Sequence, residues 1–370
     1  MITPPDKPAL WPRVVLPALV VIGVGTAFLT RDKNADIRLV RHAYPQRIMG
    51  TSCHLTAVES RHLGTPRAPD ALRHAEAALR SVETQMSSWI HSSELSRFNA
   101  AAVKTKMPLS ASTLYVLRAG RALFRDSDGA FDITCRPLIE LWKRAGKSSA
   151  LPSEADRQTA RDASRWRDIL ISDDGAEKRR ATARVDLGGI AKGYAIDRAI
   201  DALRKGGVIG GLVDIGGDLR VFGKSPRGSH WEVEIRDPFR STARNAPPAI
   251  LATLLIKAAS VCTSGNYARF VTIAGKHYSH IIDPRSGRPT QISPSVTVFG
   301  PDAMHTDAWA TALSVLGEAG LSRLPRDFEA LLILGDRAHP KAVATKGFPG
   351  RLKRPFPHPL RLVQRRTNGS

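Results

Sequence analysis

The chain has 370 residues, 42% of them hydrophobic and 24% charged, a composition that excludes a largely disordered protein and allows a sizeable core. Three cysteines (Cys53, Cys135 and Cys262) are too few for a disulfide-rich scaffold, and their spacing does not match a structural zinc site. The 55 Lys and Arg residues against 34 Asp and Glu give a net charge of +21, but they are spread along the chain, so we do not expect a nucleic-acid-binding protein.

The only continuously apolar segment lies near the N-terminus. Residues 14–29 carry no charge and follow Lys7 and Arg13. A positive flank before an apolar stretch is typical of a secretory signal or of a membrane anchor with a cytoplasmic N-terminus. We therefore interpret residues 1–33 as a cleaved signal or an inner-membrane anchor, and we expect the rest of the chain on the periplasmic face of a bacterial inner membrane. Residues 34–48 are predicted to be a linker.

The body of the chain, residues 49–349, mixes predicted strands and helices. Strands are predicted over residues 49–58, 212–215, 219–222, 231–236, 270–273 and 295–299. Helices are predicted over residues 70–86, from the N-cap Ser110 to about Phe124, after the Gly188-Gly189 turn, and over residues 305–316. This order indicates one large α+β domain with a mixed or antiparallel sheet flanked by helices, not a doubly wound fold. Residues 350–370 contain six Lys or Arg residues, no acidic residue and several prolines, which predicts a basic tail that need not pack.

Five motifs carry groups that could do chemistry, and each also has a purely structural interpretation. Residues 128–132 (Asp-Gly-Ala-Phe-Asp) and 214–218 (Asp-Ile-Gly-Gly-Asp) could be turns beside strands. Residues 186–193 could surround a phosphate with the N–H groups of a helix start and with Lys192, or they could simply pack a helix against a strand. Their spacing is not that of a P-loop.

The last two motifs lie in the C-terminal half. Residues 263–267 (Thr-Ser-Gly-Asn-Tyr) precede His280, which stands between a strand and an Asp-Pro turn and could line a cleft or be an ordinary hydrogen-bonded histidine. Asp307 and Thr311 are four residues apart on a predicted helix. A carboxylate and a hydroxyl on one helix face could bind a hard cation such as Mg²⁺.

Together and in this order, the motifs resemble those of the ApbE family, the FAD:protein FMN transferases. The resemblance extends from about Met49 to Phe348. It is carried by residues 49–51, 86–99, 128–134 with Pro137 and Trp142, 186–197, 216–218, 263–267, 280–287 and 307–311.

The resemblance implies an α+β body that binds FAD in a cleft, with Mg²⁺ at the diphosphate. It implies transfer of the FMN half of FAD to a Thr or Ser hydroxyl of an acceptor flavoprotein, with release of AMP. Two alternatives stay open: a Mg²⁺-dependent FAD pyrophosphatase that yields FMN and AMP, and a tethered flavin-binding protein without turnover.

The resemblance also implies roles for individual residues. Metal ligands would be Asp307, Thr311 and the backbone carbonyl of Gly189, where the family often has Ala. FAD would be held by Asp186 and Lys192, and the flavin nucleotide would be contacted by Met49, Trp89, Ala130, Phe131, Asp132 and His280. Trp89 stands where the family often has Tyr, so it keeps an aromatic ring but lacks the hydroxyl. His280 is the predicted general base, with Asp283 as the residue that orients it.

Overall fold

A computed structural model describes residues 38–60, 66–240, 249–265, 270–291 and 293–364. The predicted signal or anchor, residues 1–33, lies outside these ranges, as do Asn266 and Tyr267 of one motif. Within the ranges described, no helix is both long enough and apolar enough to cross a bilayer.

The described residues form seven α-helices and eighteen strands. The helices are α1 (Ala68–Met86), α2 (Glu94–Ala100), α3 (Ala111–Asp126), α4 (Arg136–Ser148), α5 (Glu154–Ala163), α6 (Ala191–Lys205) and α7 (Ala303–Leu316). The strands are β1 (Arg38–Ala43), β2 (Cys53–Ser60), β3 (Met107–Pro108), β4 (Ile169–Ile171), β5 (Gly175–Lys178), β6 (Gly210–Ile215), β7 (Asp218–Gly223), β8 (Trp231–Arg236), β9 (Ile250–Ile256), β10 (Ala259–Gly265), β11 (Phe270–Ile273), β12 (Lys276–Ser279), β13 (Ile282–Asp283), β14 (Arg288–Pro289), β15 (Ser295–Gly300), β16 (Glu329–Gly335), β17 (Pro340–Thr345) and β18 (Leu360–Val363).

A nine-stranded sheet organises the fold, in the order β1-β2-β6-β7-β10-β15-β16-β17-β18. Its neighbouring strands are antiparallel except for β17 and β18, which are parallel. Alternate side chains point to opposite faces of a strand. Leu55 and Ile215 therefore enter the core that the sheet shares with α1, α6 and α7, whereas Val58 and Val221 pack with the β8–β9 hairpin. This arrangement confirms the predicted α+β class with a mixed sheet.

The amphipathic helices form where their apolar spacing predicts them. Helix α1 buries Leu72, Ala75, Leu79, Val82 and Met86. The Ser110 side chain accepts a hydrogen bond from the Thr113 N–H, which confirms it as the N-cap of α3. The apolar stripe predicted for α1 is thus buried, and the N-cap predicted for α3 is present.

The segments predicted as a linker and as a tail that need not pack each contain a strand at an edge of the sheet. Strand β1 lies within the predicted linker 34–48 and pairs with β2, and β18 lies within the predicted tail 350–370 and pairs with β17. An edge strand needs only one hydrogen-bonded neighbour, and exposed basic side chains are common there because they oppose further strand addition. Because both segments have a basic composition, their sequences did not indicate that they pair with neighbouring strands.

We expect Gly193→Ala to destabilise the protein. A methyl group at Gly193 would overlap the backbone carbonyl of Ala303, so α6 and α7 would have to move apart. The loss in the free energy of unfolding should be about 2–4 kcal/mol, measured by urea denaturation. Gly350→Ala is the matched control, because a methyl group there meets no atom within 4 Å. Equal stability of the two variants would contradict the close approach of the helices.

Candidate functional site

A group of charges, with two buried carboxylates and a partly buried ammonium, lies where α6, α7 and β7 meet. The Lys192 ammonium donates to the Asp218 carboxylate, and its Nζ lies 3.4 Å from Oδ1 and 3.5 Å from Oδ2 of Asp307. Two backbone donors complete the arrangement: the Gly193 N–H donates to Asp307 (3.2 Å) and the Thr263 N–H to Asp218 (3.0 Å). We call Lys192, Asp218 and Asp307 the charge cluster.

The charge cluster is electrostatically strained by burial. Asp307 is only 3% exposed, and burial raises its pKa to about 6, although Lys192 acts in the opposite direction. Burial by itself would lower the pKa of Lys192, but the attraction of Asp218 and Asp307 outweighs it and holds that pKa above its usual range. One ammonium therefore faces two carboxylates in a site of low polarity.

The start of α7 is fixed by a carboxylate on α6. Asp197 accepts hydrogen bonds from the N–H groups of Ala303 (2.8 Å) and Met304 (2.9 Å), and the Asp302 side chain accepts one from the His305 N–H (2.9 Å). These N–H groups have no partner within the helix, so the contacts both satisfy and orient the first turn. Asp307 follows within one turn, and its position therefore depends on Asp197.

The three predicted metal ligands lie together. Asp307 and Thr311 are one turn apart on α7, and a methyl group built on Gly189 would lie 3.1 Å from Oγ1 of Thr311. The same methyl group would lie 3.2 Å from the Phe131 ring, so the predicted flavin-contacting segment reaches the same place. Gly189 thus lies in a narrow gap between Thr311 and Phe131.

The segment 130–132 is buried. The Asp132 carboxylate accepts hydrogen bonds from the N–H (2.7 Å) and the hydroxyl (2.8 Å) of Thr134, and burial raises its pKa to about 7 despite both bonds. The Phe131 N–H donates to the Ser127 hydroxyl (2.9 Å), and Ala130 belongs to a small apolar cluster with Ile281 and Val315. These hydrogen bonds and apolar contacts stabilise the 130–132 loop. Phe131 is the residue of this loop that lies next to Gly189.

Asp186 orders the loop before α6. One of its carboxylate oxygens accepts from the Gly188 N–H (2.9 Å) and the other from the Arg136 guanidinium (3.0 Å). The sequence did not predict the contact of Arg136, although this residue stands between Thr134 and Pro137 of a recognised motif. Asp186 is therefore placed to shape the loop that carries Gly189.

Met49 and Trp89 both lie near the C-terminal end of α1. Met49 has a positive φ of 47°, and its N–H donates to Glu83 of α1 (2.8 Å). Trp89 follows α1 and is 81% exposed, with the Lys143 ammonium 4.7 Å above its ring. An exposed ring of this kind is available for stacking, but no described contact joins it to the charge cluster.

His280 and Asp283 occupy the segment after β12. His280 is exposed, and the neighbouring Ile281 packs with Ala130 and with Val315 near the end of α7. The Asp283 carboxylate forms a two-point ion pair with Arg285, at 2.9 and 3.1 Å. The fold therefore brings the His280 segment to the same side as the 130–132 loop, and the roles of the two residues stay predictions.

Comparison with known proteins identifies the class. The sequence model of the ApbE family matches residues 49–332, and the chain belongs to this family. The chain is 32% identical over 286 residues to the FAD:protein FMN transferase of Haemophilus influenzae, covering 74% of this chain and 80% of that protein. It is 33% identical over 246 residues to the enzyme of the same name from Vibrio cholerae, covering 65% and 71%.

Solved structures show the same fold. The flavin transferase ApbE from Vibrio cholerae superposes with a TM-score of 0.73 at 26% identity, covering 85% of this chain and 100% of that one. The apo flavinyl transferase ApbE from Pseudomonas stutzeri gives a TM-score of 0.73 at 30% identity, covering 86% and 98%.

Replacing Lys192 by Met should make stability depend strongly on pH. Without the ammonium, Asp218 and Asp307 are buried without a counter-charge, and the pKa of Asp307, which burial already raises, rises further above that of the unfolded chain. The loss in the free energy of unfolding is then small below about pH 4, where the carboxylates are protonated in both the folded and the unfolded state. The loss grows as pH rises. In metal-free buffer near neutral pH we expect about 3–5 kcal/mol less stability in urea denaturation.

The double variant Lys192→Met/Asp307→Asn is the control for this effect. It removes one of the two uncompensated carboxylates and should recover a large part of the loss near neutral pH. A destabilisation of Lys192→Met that is equal at all pH values would argue against the charge cluster as its cause.

Proposed function

We propose that this protein uses the charge cluster and the adjacent Thr311 and Gly189 to transfer the FMN half of FAD to a Thr or Ser hydroxyl of an acceptor flavoprotein. The observation that carries the proposal is the buried Lys192–Asp218–Asp307 arrangement beside Thr311 and Gly189. It occurs in a chain of the ApbE family whose curated relatives are named FAD:protein FMN transferases.

The donor atoms fit Mg²⁺ better than a softer metal. Among the residues described, no group of three or more His, Cys, Asp or Glu side chains is arranged around a common point. The proposed ligands are all oxygens: the Asp307 carboxylate, the Thr311 hydroxyl and the Gly189 carbonyl. Mg²⁺ is commonly held by one or two carboxylates while water and substrate phosphates fill its other positions. When bound, the cation would draw negative charge from the FAD diphosphate.

The side chains would then supply positioning and proton transfer. Lys192 neutralises part of the diphosphate charge, and the loop from Asp186 to Gly189 holds backbone N–H groups beside it. The acceptor oxygen forms a bond to the phosphorus of the FMN half as the bond from that phosphorus to the bridging oxygen breaks. AMP leaves with that oxygen, and His280 takes the proton of the acceptor hydroxyl.

The test is an assay of the full chain with FAD, Mg²⁺ and a flavoprotein domain that carries a candidate Thr. AMP release and the mass of the acceptor are followed together. Transfer adds one FMN to the acceptor and should fall by about 10²- to 10⁴-fold in His280→Ala and be lost in Asp307→Asn. AMP released equally without acceptor would instead support an FAD pyrophosphatase, and FAD that stays intact would support a binding protein without turnover.

Two matched controls separate chemistry from general damage. His277→Ala changes an exposed histidine three residues before His280. The His277 ring contacts the Thr272 hydroxyl (3.1 Å). Asp336→Asn changes an exposed carboxylate in the β16–β17 turn, which accepts hydrogen bonds from two neighbouring N–H groups. Both controls should retain transfer.

We further propose that residues 1–33 tether the protein to the inner membrane, or direct its export, so that the body acts on the periplasmic face. The charge-free segment 14–29 behind Lys7 and Arg13 supports this. In cell fractionation, the full chain should be found with membranes or in the periplasm, and a chain starting at Asn34 in the cytoplasm. A full chain found in the cytoplasm would contradict the proposal.

A further inference from the structure

A second cluster of polar side chains lies on the two strands at the N-terminal edge of the sheet. His42 of β1 is paired in register with Thr56 of β2, and His54 lies two residues before Thr56 on the same face. Leu55 and Ala57 point to the core shared with the helices, so His54 and Thr56 point to the other face of the sheet. The cluster therefore lies on the opposite face from the charge cluster.

Two ring nitrogens and one hydroxyl oxygen of this cluster form a nearly equilateral triangle. Nδ1 of His42 lies 3.1 Å from Nε2 of His54 and 3.0 Å from Oγ1 of Thr56, and the last two atoms are 3.2 Å apart. We call these three residues the edge triad. All three atoms carry lone pairs, and each imidazole can present its neutral nitrogen to a common partner.

The size of this triangle matches one face of a metal coordination shell. For metal–nitrogen bonds of about 2.0–2.1 Å, neighbouring ligand atoms are about 3.3 Å apart in a tetrahedral site and about 2.9 Å apart in an octahedral one. The observed 3.0–3.2 Å falls between the two values. A small divalent ion above the triangle would thus contact all three atoms with little movement of the strands.

The surroundings of the edge triad favour a cation. Tyr44 stacks on His54 with ring centroids 4.7 Å apart and an angle of 6° between the planes, which restrains the ring orientation. Asp214 of β6 is directly opposite His54 and brings a carboxylate to the same face.

We propose that His42, His54 and Thr56 form a binding site for a divalent transition metal ion of the Zn²⁺ or Cu²⁺ type. Two imidazole nitrogens prefer such ions, and among divalent first-row metals Cu²⁺ binds nitrogen sites most tightly. Mg²⁺ prefers oxygen ligands and is a poor occupant. The edge triad therefore differs in chemistry from the Mg²⁺ site proposed beside Asp307, and neither proposal depends on the other.

The experiment measures binding of Cu²⁺ and Zn²⁺ to the full chain by calorimetry, in excess Mg²⁺ so that the oxygen-ligand site is occupied. We expect one equivalent of either ion to bind to the wild type. His42→Ala and His54→Ala should each weaken this binding about tenfold or more, because each removes one nitrogen ligand. Thr56→Val, which keeps the side-chain shape, should have a smaller effect.

His339→Ala is the matched control, because His339 is an exposed histidine beside Asp336 in the β16–β17 turn. This variant should bind the metal ions like the wild type. The electron paramagnetic resonance spectrum of bound Cu²⁺ gives an independent readout: two nitrogen ligands in the wild type and one in either His variant. Thermal unfolding without metal shows whether each variant is folded. Binding that is unchanged in His42→Ala/His54→Ala, or no stoichiometric binding by the folded wild type, would show that the edge triad is only a hydrogen-bonded group.

Discussion

The structure depends on one buried interaction, the contact of Lys192 with the carboxylates of Asp218 and Asp307. The three side chains come from α6, β7 and α7, so their attraction joins a sheet strand to the two helices that cover it. Burying separated charges is costly unless each finds a partner, and removing any one partner leaves another charge unpaired in the interior. The same contact therefore determines both the packing of the helices and the position of the site.

A second layer of contacts makes that position precise. Gly193 lets α6 approach the first residue of α7, and Asp197, one turn further along α6, accepts two N–H groups of that helix. A carboxylate at the start of a helix satisfies N–H groups that have no partner inside the helix and interacts favourably with its dipole. Asp197 itself is held by Arg220 of β7, so the chain of contacts returns to the sheet.

The sequence predicted the parts of the fold whose signal is local. Helix α1 has an apolar stripe and α3 has a serine cap, and both are visible without knowledge of the rest of the molecule. Strands β1 and β18 could not be predicted in this way, because an edge strand is defined by its neighbour and not by its own hydrophobicity. These two strands lie within the predicted linker and tail, whose boundaries stay predictions.

The same distinction applies to the site. Spacing on one helix placed Asp307 and Thr311 on one face, and the structure brings the predicted Gly189 next to Thr311. The pairing of Lys192 with Asp218 joins residues 26 positions apart, and the pairing of Asp186 with Arg136 joins residues 50 positions apart. The Gly-Gly-Asp motif marked Asp218 as notable, but only the tertiary structure shows which charge it meets.

The balance of charge in the cluster supports the proposal that it binds a cation. Two carboxylates face one ammonium, so the formal charge is negative, and burial raises the pKa of Asp307 to about 6 even with Lys192 beside it. A bound divalent cation would relieve this excess, and the energy of doing so contributes to binding. A fully neutralised pair would be more stable but would attract no cation. We therefore interpret the imbalance as part of the proposed cation binding and not as a defect of the fold.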